Sequence, residues 1–124
     1  MDVKFYRCEE CGNIVELIYD GGGELVCCGA PMIKLKASTA DAANEKHVPV
    51  FKKEGDTTVV TVGSVLHPMI EKHYIMWIAA VTKTGIFRKE LKPGDKPEVT
   101  FRGLDEVVAY YEYCNLHGLW KAEL

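Results

Sequence analysis

The chain lacks the marks of membrane-spanning, secreted and nucleic-acid-binding proteins. No apolar run among its 124 residues approaches the roughly 20 residues of a transmembrane helix, so we predict no membrane partner. The first residues also lack the apolar core of a secretion signal, and we expect a cytoplasmic location. Acidic residues outnumber basic ones by 18 to 15, which predicts no nucleic-acid partner. With 48% hydrophobic residues, the composition is that of a folded domain.

Short apolar runs separated by glycine and proline turns predict a mainly β chain. Residues 1–36 hold three such runs, and this segment is too small to fold on hydrophobic burial alone. Its glycine run, Gly21–Gly23, has no helical pattern after it and predicts a hairpin turn, not a phosphate-binding loop. The polar segment Ser38–Lys46 predicts a linker or a single helical turn.

Residues 37–124 carry about seven further runs of strand length, which predict a β-sandwich. The runs are Val48–Lys52, Thr58–Val62, Tyr74–Thr82, Ile86–Leu91, Glu98–Phe101, Val107–Tyr113 and Leu119–Ala122. By periodicity Val107–Tyr113 also fits a helix, but its two valines and three tyrosines favour a strand. The chain is therefore divided into two domains, residues 1–36 and residues 37–124.

Five cysteines in a chain expected to be cytoplasmic indicate metal ligands or catalytic thiols more than disulfides. Cys8 and Cys11 form a C-x-x-C-G knuckle, in which Gly12 lets the backbone turn back toward sulfur. Cys27 and Cys28 stand side by side, a spacing that predicts distorted backbone angles. Two thiolate pairs suit zinc or iron, and the spacing does not choose between them. A purely structural zinc is one interpretation and a strained vicinal disulfide a minor one.

The remaining cysteine and all four histidines form a second candidate set. Its members are His47, His67, His73, Cys114 and His117. A single histidine is more often a core or surface residue than a ligand, so the inference depends on the whole set. A nucleophilic pair of Cys114 and His117 is the alternative, but it leaves three histidines without a role. Four imidazoles and one thiolate leave one octahedral position open on an iron ion, as a redox or substrate-binding centre needs.

Taken together, these motifs resemble those of the desulfoferrodoxins, the two-iron superoxide reductases. The resemblance extends over nearly the whole chain, and the motifs occur in the same order. Each motif alone is weak, whereas the ordered set is highly specific. The resemblance rests on Cys8–Gly12, Cys27–Cys28, Glu45–Val50, His67–Met69, Glu71–Ile75, Cys114–Gly118 and Trp120–Lys121.

The resemblance implies a fold and two iron centres. Residues 1–36 would form a desulforedoxin-like or rubredoxin-like domain, and residues 37–124 an immunoglobulin-like, seven-stranded β-sandwich. The first domain would hold Fe(Cys)4, and its ligands would be Cys8, Cys11, Cys27 and Cys28. The sandwich would hold non-haem iron as Fe(His)4(Cys). Its equatorial ligands would be His47, His67, His73 and His117, and its axial ligand Cys114.

A reaction and its participants are also implied by the resemblance. Ferrous iron would reduce superoxide by one electron to hydrogen peroxide, without release of dioxygen, in defence against oxidative stress. Lys46 would attract the anion and assist protonation, and Glu45 would close onto the ferric iron afterwards. A rubredoxin-like donor would restore the electron, and the protein would be a homodimer. The competing hypothesis is a non-catalytic electron-transfer module, in which both metals only carry electrons or hold the fold.

Overall fold

The structure, a computed structural model, describes residues 2–41 and 46–124 and consists of two compact units. One unit spans Asp2–Lys36 and the other Ala37–Leu124. Within the described residues every regular element is a β-strand, and no helix is long and apolar enough to cross a membrane. The mainly β fold class predicted from the sequence is confirmed. Part of the Ser38–Lys46 linker prediction lies outside the described residues.

The Asp2–Lys36 unit is built from five very short strands. They are β1 (Phe5–Arg7), β2 (Ile14–Glu16), β3 (Val26–Cys27), β4 (Ala30–Pro31) and β5 (Ile33–Lys34). β1 lies between β2 and β5 in one antiparallel sheet, while β3 and β4 form a separate hairpin. Within this unit only Phe5 and Cys8 are buried. Hydrophobic burial alone therefore gives this unit little stability, as its size predicts.

The Ala37–Leu124 unit is a sandwich of two antiparallel sheets. Its strands are β6 (Pro49–Glu54), β7 (Thr57–Val62), β8 (Ile75–Thr82), β9 (Ile86–Glu90), β10 (Glu98–Arg102), β11 (Val107–Cys114) and β12 (Gly118–Glu123). The first sheet has the order β10-β7-β6 and the second the order β12-β11-β8-β9. Seven strands in sheets of three and four agree with the predicted sandwich.

The sandwich core takes side chains from both sheets. Val60 and Val62 of β7 contribute from the first sheet, and Ile78 and Tyr110 from the second. β-branched and aromatic side chains fit the pleated inner faces well, which explains their enrichment in these strands. β8 is buried along nearly its whole length, as its continuous apolar run predicted. Val107–Tyr113 belongs to a strand, so the helical alternative is wrong.

Strand directions give the sandwich two distinct ends. In the first sheet Pro49 pairs with Val62, and in the second Ile75 pairs with Cys114. His47, next to the first pair, and His117, next to the second, lie close together in space. The two pairs therefore mark the same end of the sandwich, which we call the proximal end. The β6–β7 turn at residues 55–56 and the β8–β9 turn at residues 83–85 lie at the opposite, distal end.

Two details of the strand pattern go beyond the sequence prediction. The β3–β4 hairpin was not predicted, because two-residue strands beside adjacent cysteines carry no periodic signal. The turn predicted at residues 92–97 joins β9 of one sheet to β10 of the other, so it connects the two layers.

Candidate metal centres

The four cysteines of the Asp2–Lys36 unit meet in one thiolate group. Their sulfur atoms all lie within 4.8 Å of one another. Cys11 Sγ is 3.6 Å from Cys27 Sγ, which is 3.9 Å from Cys28 Sγ. Four sulfurs held at about 2.3 Å by one tetrahedral ion lie about 3.8 Å apart. The group therefore has the size that a single zinc or iron ion requires.

The knuckle backbone prepares Cys8 to act as a thiolate. The Cys11 N–H donates to Cys8 Sγ at 3.5 Å, and the Gly12 N–H donates to the Cys8 carbonyl at 2.9 Å. The hydrogen bond from Cys11 lowers the pKa of Cys8 to about 7. Gly12 has a φ of +81°, a left-handed conformation that only glycine adopts at low cost. The sequence prediction for this glycine agrees with its conformation.

The second cysteine pair is strained, as its spacing predicted. Cys28 has a φ of +52°, in the left-handed region that non-glycine residues rarely adopt. Both cysteines of the pair are free, and their sulfur separation of 3.9 Å excludes the vicinal disulfide. Side-chain hydrogen bonds with Cys8 and then Cys11 raise the pKa of Cys27 to about 12. In the metal-free unit, the Cys8 thiol thus ionises at lower pH than the Cys27 thiol.

A second group of donors lies at the proximal end of the sandwich. One donor atom from each of four residues lies within 4.8 Å of the others, and the four are His47, His67, Cys114 and His117. His47 Nε2 is 3.1 Å from His117 Nδ1. Two imidazole nitrogens bound at right angles to one ion, each about 2.1 Å away, lie about 3 Å apart. This spacing fits a shared metal ion.

His73 lies beside this group but outside its tightest part. Its ring contacts the His67 ring at a centroid distance of 4.6 Å and the His117 ring at 5.0 Å, both edge to face. Its Nε2 atom is buried. The structure therefore brings all five predicted ligands together, four of them with donor atoms within 4.8 Å of one another. Assignment of His73 as the fifth ligand stays a prediction.

Cys114 lies at the inner side of the group. It ends β11 as a fully buried member of the hydrophobic core. Its Sγ is 3.7 Å from His67 Nε2 and 3.9 Å from His117 Nδ1. A nucleophile needs access to its substrate, and a buried sulfur among several imidazoles lacks that access. The geometry favours a metal ligand over the nucleophilic pair of Cys114 and His117.

Neighbouring groups fix which nitrogen of His47 and of His67 faces the centre. His67 Nδ1 donates to the Pro68 carbonyl at 2.7 Å, which leaves Nε2 directed at the centre. His47 stacks on Trp120 at 4.6 Å, with 16° between the ring planes. Its Nδ1 lies 3.5 Å from a carboxylate oxygen of Glu112, while Nε2 faces the other ligands. Both rings are thus held in the orientation that metal binding requires.

Three residues that support the ligands were not predicted from the sequence. Glu112 is a fully buried carboxylate that faces His47. Asp41 accepts hydrogen bonds from the backbone N–H groups of His47 and Val48. Asn115 accepts from the Tyr74 N–H at 2.9 Å and donates to the Lys72 carbonyl at 3.1 Å. The Asn115 bonds hold the segment carrying His73 against the loop after Cys114. Of the three, only Asn115 lies within a motif of the family resemblance, and neither carboxylate has a local sequence signal.

Of the two predicted functional residues that are not metal ligands, the structure describes Lys46 but not Glu45. Lys46 directly precedes His47 and is partly buried. Glu45 lies outside the described residues, so its predicted approach to the iron stays a prediction.

Fold and sites together define a class of protein: a small thiolate-metal unit joined to a β-sandwich that carries a histidine–thiolate metal centre. A family profile described as Desulfoferrodoxin matches residues 39–123, and its N-terminal domain profile matches residues 1–35. The chain belongs to the desulfoferrodoxin family. It is 54% identical over 121 residues to a desulfoferrodoxin of Syntrophotalea carbinolica, covering 98% of this chain and 96% of that protein.

Solved structures agree with this assignment. The superoxide reductase from Treponema pallidum superposes with a TM-score of 0.83 at 35% identity, covering 98% of both chains. A one-iron superoxide reductase from Giardia intestinalis covers 65% of this chain and 100% of its own, with a TM-score of 0.53 and 35% identity. The two donor groups match the two iron sites of the desulfoferrodoxin family, so the cofactor prediction is confirmed. Iron replaces the structural-zinc interpretation of the thiolate group.

Proposed function

We propose that this protein is a superoxide reductase, which reduces superoxide to hydrogen peroxide at the histidine–thiolate centre without releasing dioxygen. The observation that carries the proposal is the asymmetry of that centre. Cys114 is fully buried on the core side, whereas His117 is exposed. A small anion can thus approach from the loops of the proximal end but not through the core. Iron held by the histidines and Cys114 would supply the single electron, and a thiolate ligand would favour its transfer.

Lys46 is proposed to attract superoxide to this entrance. It precedes the buried ligand His47 and is itself only partly buried. The net charge of −3 gives no long-range attraction for an anion, so a local cation must supply it. The Lys46 ammonium would also donate a hydrogen bond, and then a proton at Nζ, to the reduced product. Glu45 is proposed as the carboxylate that would bind the oxidised iron once peroxide has left.

The direct test is the stoichiometry of the reaction. Iron-loaded protein, reduced beforehand, is mixed with known amounts of superoxide, and peroxide and dioxygen are measured. We expect as many peroxide molecules as superoxide molecules consumed, with no dioxygen. The thiolate-to-iron absorption band should change in step with the superoxide added. Release of dioxygen, with only one peroxide formed for every two superoxide ions consumed, would indicate dismutation. If superoxide is not consumed at all, the electron-transfer module remains as the function.

We further propose that residues 1–36 act as an Fe(Cys)4 domain and residues 37–124 as the superoxide reductase domain. The Giardia relative supports this division, since 65% of the present chain suffices to cover a whole one-iron protein. A rubredoxin-like protein is the proposed electron donor. Stopped-flow mixing of reduced rubredoxin with the oxidised protein tests this, and a rate no faster than with a small-molecule reductant would argue against it.

A homodimer in the cytoplasm is the proposed state of the protein. Several apolar side chains of the Asp2–Lys36 unit are exposed, Ile18 by 90% and Tyr19 by 83%, and such exposure supports an interface. The free cysteines suit a reducing compartment. Sedimentation equilibrium of the iron-loaded protein should give twice the chain mass. A single-chain mass at micromolar concentration would overturn the dimer.

A further inference from the structure

The turn after β7 makes an unusually close contact with the segment before β6. Gly63, the first residue of this turn, has a φ of +78°. A Cβ atom at this position would overlap the carbonyl oxygen of Lys46. It would also lie 2.8 Å from the carbonyl oxygen of Val65 and 2.9 Å from Lys46 Cβ. Two of these three neighbours are backbone atoms, which cannot move away as a flexible side chain can.

This contact joins two segments that carry metal ligands. Lys46 is followed directly by His47, and the turn that begins at Gly63 leads through Val65 to His67. The His47 and His67 rings are 4.6 Å apart. From this geometry we propose that Gly63 is a positioning residue for the histidine–thiolate centre. Its bare Cα lets the Lys46–His47 segment lie directly against the turn to His67, and this sets the separation of the two imidazoles.

The proposal separates two properties of the glycine. A positive φ alone requires glycine for conformational reasons, which many turns share. Close approach of a second backbone is an additional requirement, and it concerns the metal centre. Gly55, in the β6–β7 turn of the distal end, has a φ of +61°, and a Cβ atom added there would have nothing within 4 Å. It shares the first property with Gly63 but not the second, and Gly55→Ala is therefore the matched control.

The test compares iron retention at the two centres of the full-length, iron-loaded protein. Wild type, Gly63→Ala and Gly55→Ala are challenged with a chelator while the absorption and electron paramagnetic resonance signals of both centres are followed. We expect Gly63→Ala to weaken iron binding at the histidine–thiolate centre about ten- to a hundredfold, as loss of a ligand-positioning group does. Its thiolate-to-iron band should shift as well. The Fe(Cys)4 signal of the same molecules is the internal reference and should not change.

A second substitution distinguishes close contact from backbone conformation. Asparagine tolerates the left-handed region better than alanine but also carries a Cβ. Gly63→Asn should therefore lose iron from the histidine–thiolate centre as Gly63→Ala does. Wild-type retention in Gly63→Asn, or equal retention in Gly63→Ala and Gly55→Ala, would overturn the proposal. Unfolding of the whole sandwich, detected by tryptophan fluorescence, would also overturn it, because Gly63 would then support folding in general. None of these readouts depends on superoxide reduction.

Discussion

Replacement of the Glu112 carboxylate by the amide of glutamine should weaken the histidine–thiolate centre without removing any ligand. Glu112 is fully buried, and its Oε2 lies 3.5 Å from Nδ1 of His47, whose side chain is only 3% exposed. A carboxylate facing the outer nitrogen of a ligating imidazole fixes its tautomer and raises its basicity. Glu112→Gln keeps the size and shape of the side chain but removes the charge.

The structure allows the size of this effect to be bounded. Loss of an outer carboxylate costs about ten- to a hundredfold in metal affinity, which is roughly 1.4 to 2.7 kcal/mol. Removing one partner of a buried charged pair can cost about 3–5 kcal/mol, but the amide retains packing and a hydrogen-bond acceptor. We therefore expect iron affinity to fall on the order of tenfold. The reduction potential should rise, because an adjacent negative charge favours the ferric state.

The matched control is Glu123→Gln on the neighbouring strand β12. Glu123 pairs with Lys121, and its side chain is 64% exposed. Exposed pairs of this kind contribute at most about 1 kcal/mol. Chelator competition, redox titration and thermal unfolding should be recorded for both variants. If Glu112→Gln and Glu123→Gln have the same iron affinity and the same potential as wild type, the proposed role of the buried carboxylate is wrong.

Four further predictions concern the entrance, the supporting loop and the thiolate unit. Lys46→Ala should slow the reaction with superoxide on the order of tenfold, with a greater loss at low ionic strength, measured by pulse radiolysis; a rate unchanged at every salt concentration would refute steering. Asn115→Ala should lower the free energy of unfolding by about 1–2 kcal/mol and also change the absorption spectrum of the iron centre, because His73 would shift. A lower unfolding temperature with an unchanged spectrum would contradict the positioning role. In an ultraviolet pH titration of metal-free protein, Cys8→Ser should abolish the ionisation at about pH 7. The pKa of Cys8 in the folded unit is lowered from 9.0. The Cys8 thiolate therefore stabilises the folded unit fully above pH 9, and this contribution is lost as the pH falls through about 7. Cys27→Ser should remove iron from the thiolate group and leave superoxide reduction largely intact; lost activity with the second iron still bound would make the first centre obligatory.

The strands of the sandwich could be predicted well, because buried strands require runs of apolar, β-branched and aromatic residues that are visible in the sequence. The run Tyr74–Thr82 became the almost fully buried β8, and the tyrosine-rich Val107–Tyr113 became most of β11. The two-residue strands β3 and β4 escaped prediction. Their backbone is held by sulfur contacts and a left-handed Cys28, neither of which produces a periodic pattern.

The ligands could be predicted because cysteine and histidine are rare and carry specific chemistry. Their supporting residues could not, because a buried carboxylate such as Glu112 looks like any other charged residue in a strand. Its significance depends on the pairing of β11 with β12, which places it opposite Trp120, beside the His47 ring. In the sequence, Gly63 likewise looks like any other turn glycine. Only the fold places the backbone of Lys46 next to it. Such long-range contacts are properties of the fold and not of local sequence.

The two ends of the sandwich differ in how much change of loop length they tolerate. The proximal end concentrates all five predicted ligands of the histidine–thiolate centre, together with Gly63 and Asn115. The distal end consists of short turns, and Gly55 there has open space around it. Loop tips with open surroundings tolerate insertion and length change far better than packed, hydrogen-bonded backbone. Insertions at the distal turns should therefore leave the metal centre intact, whereas a single inserted residue between β7 and His67 would shift a predicted ligand.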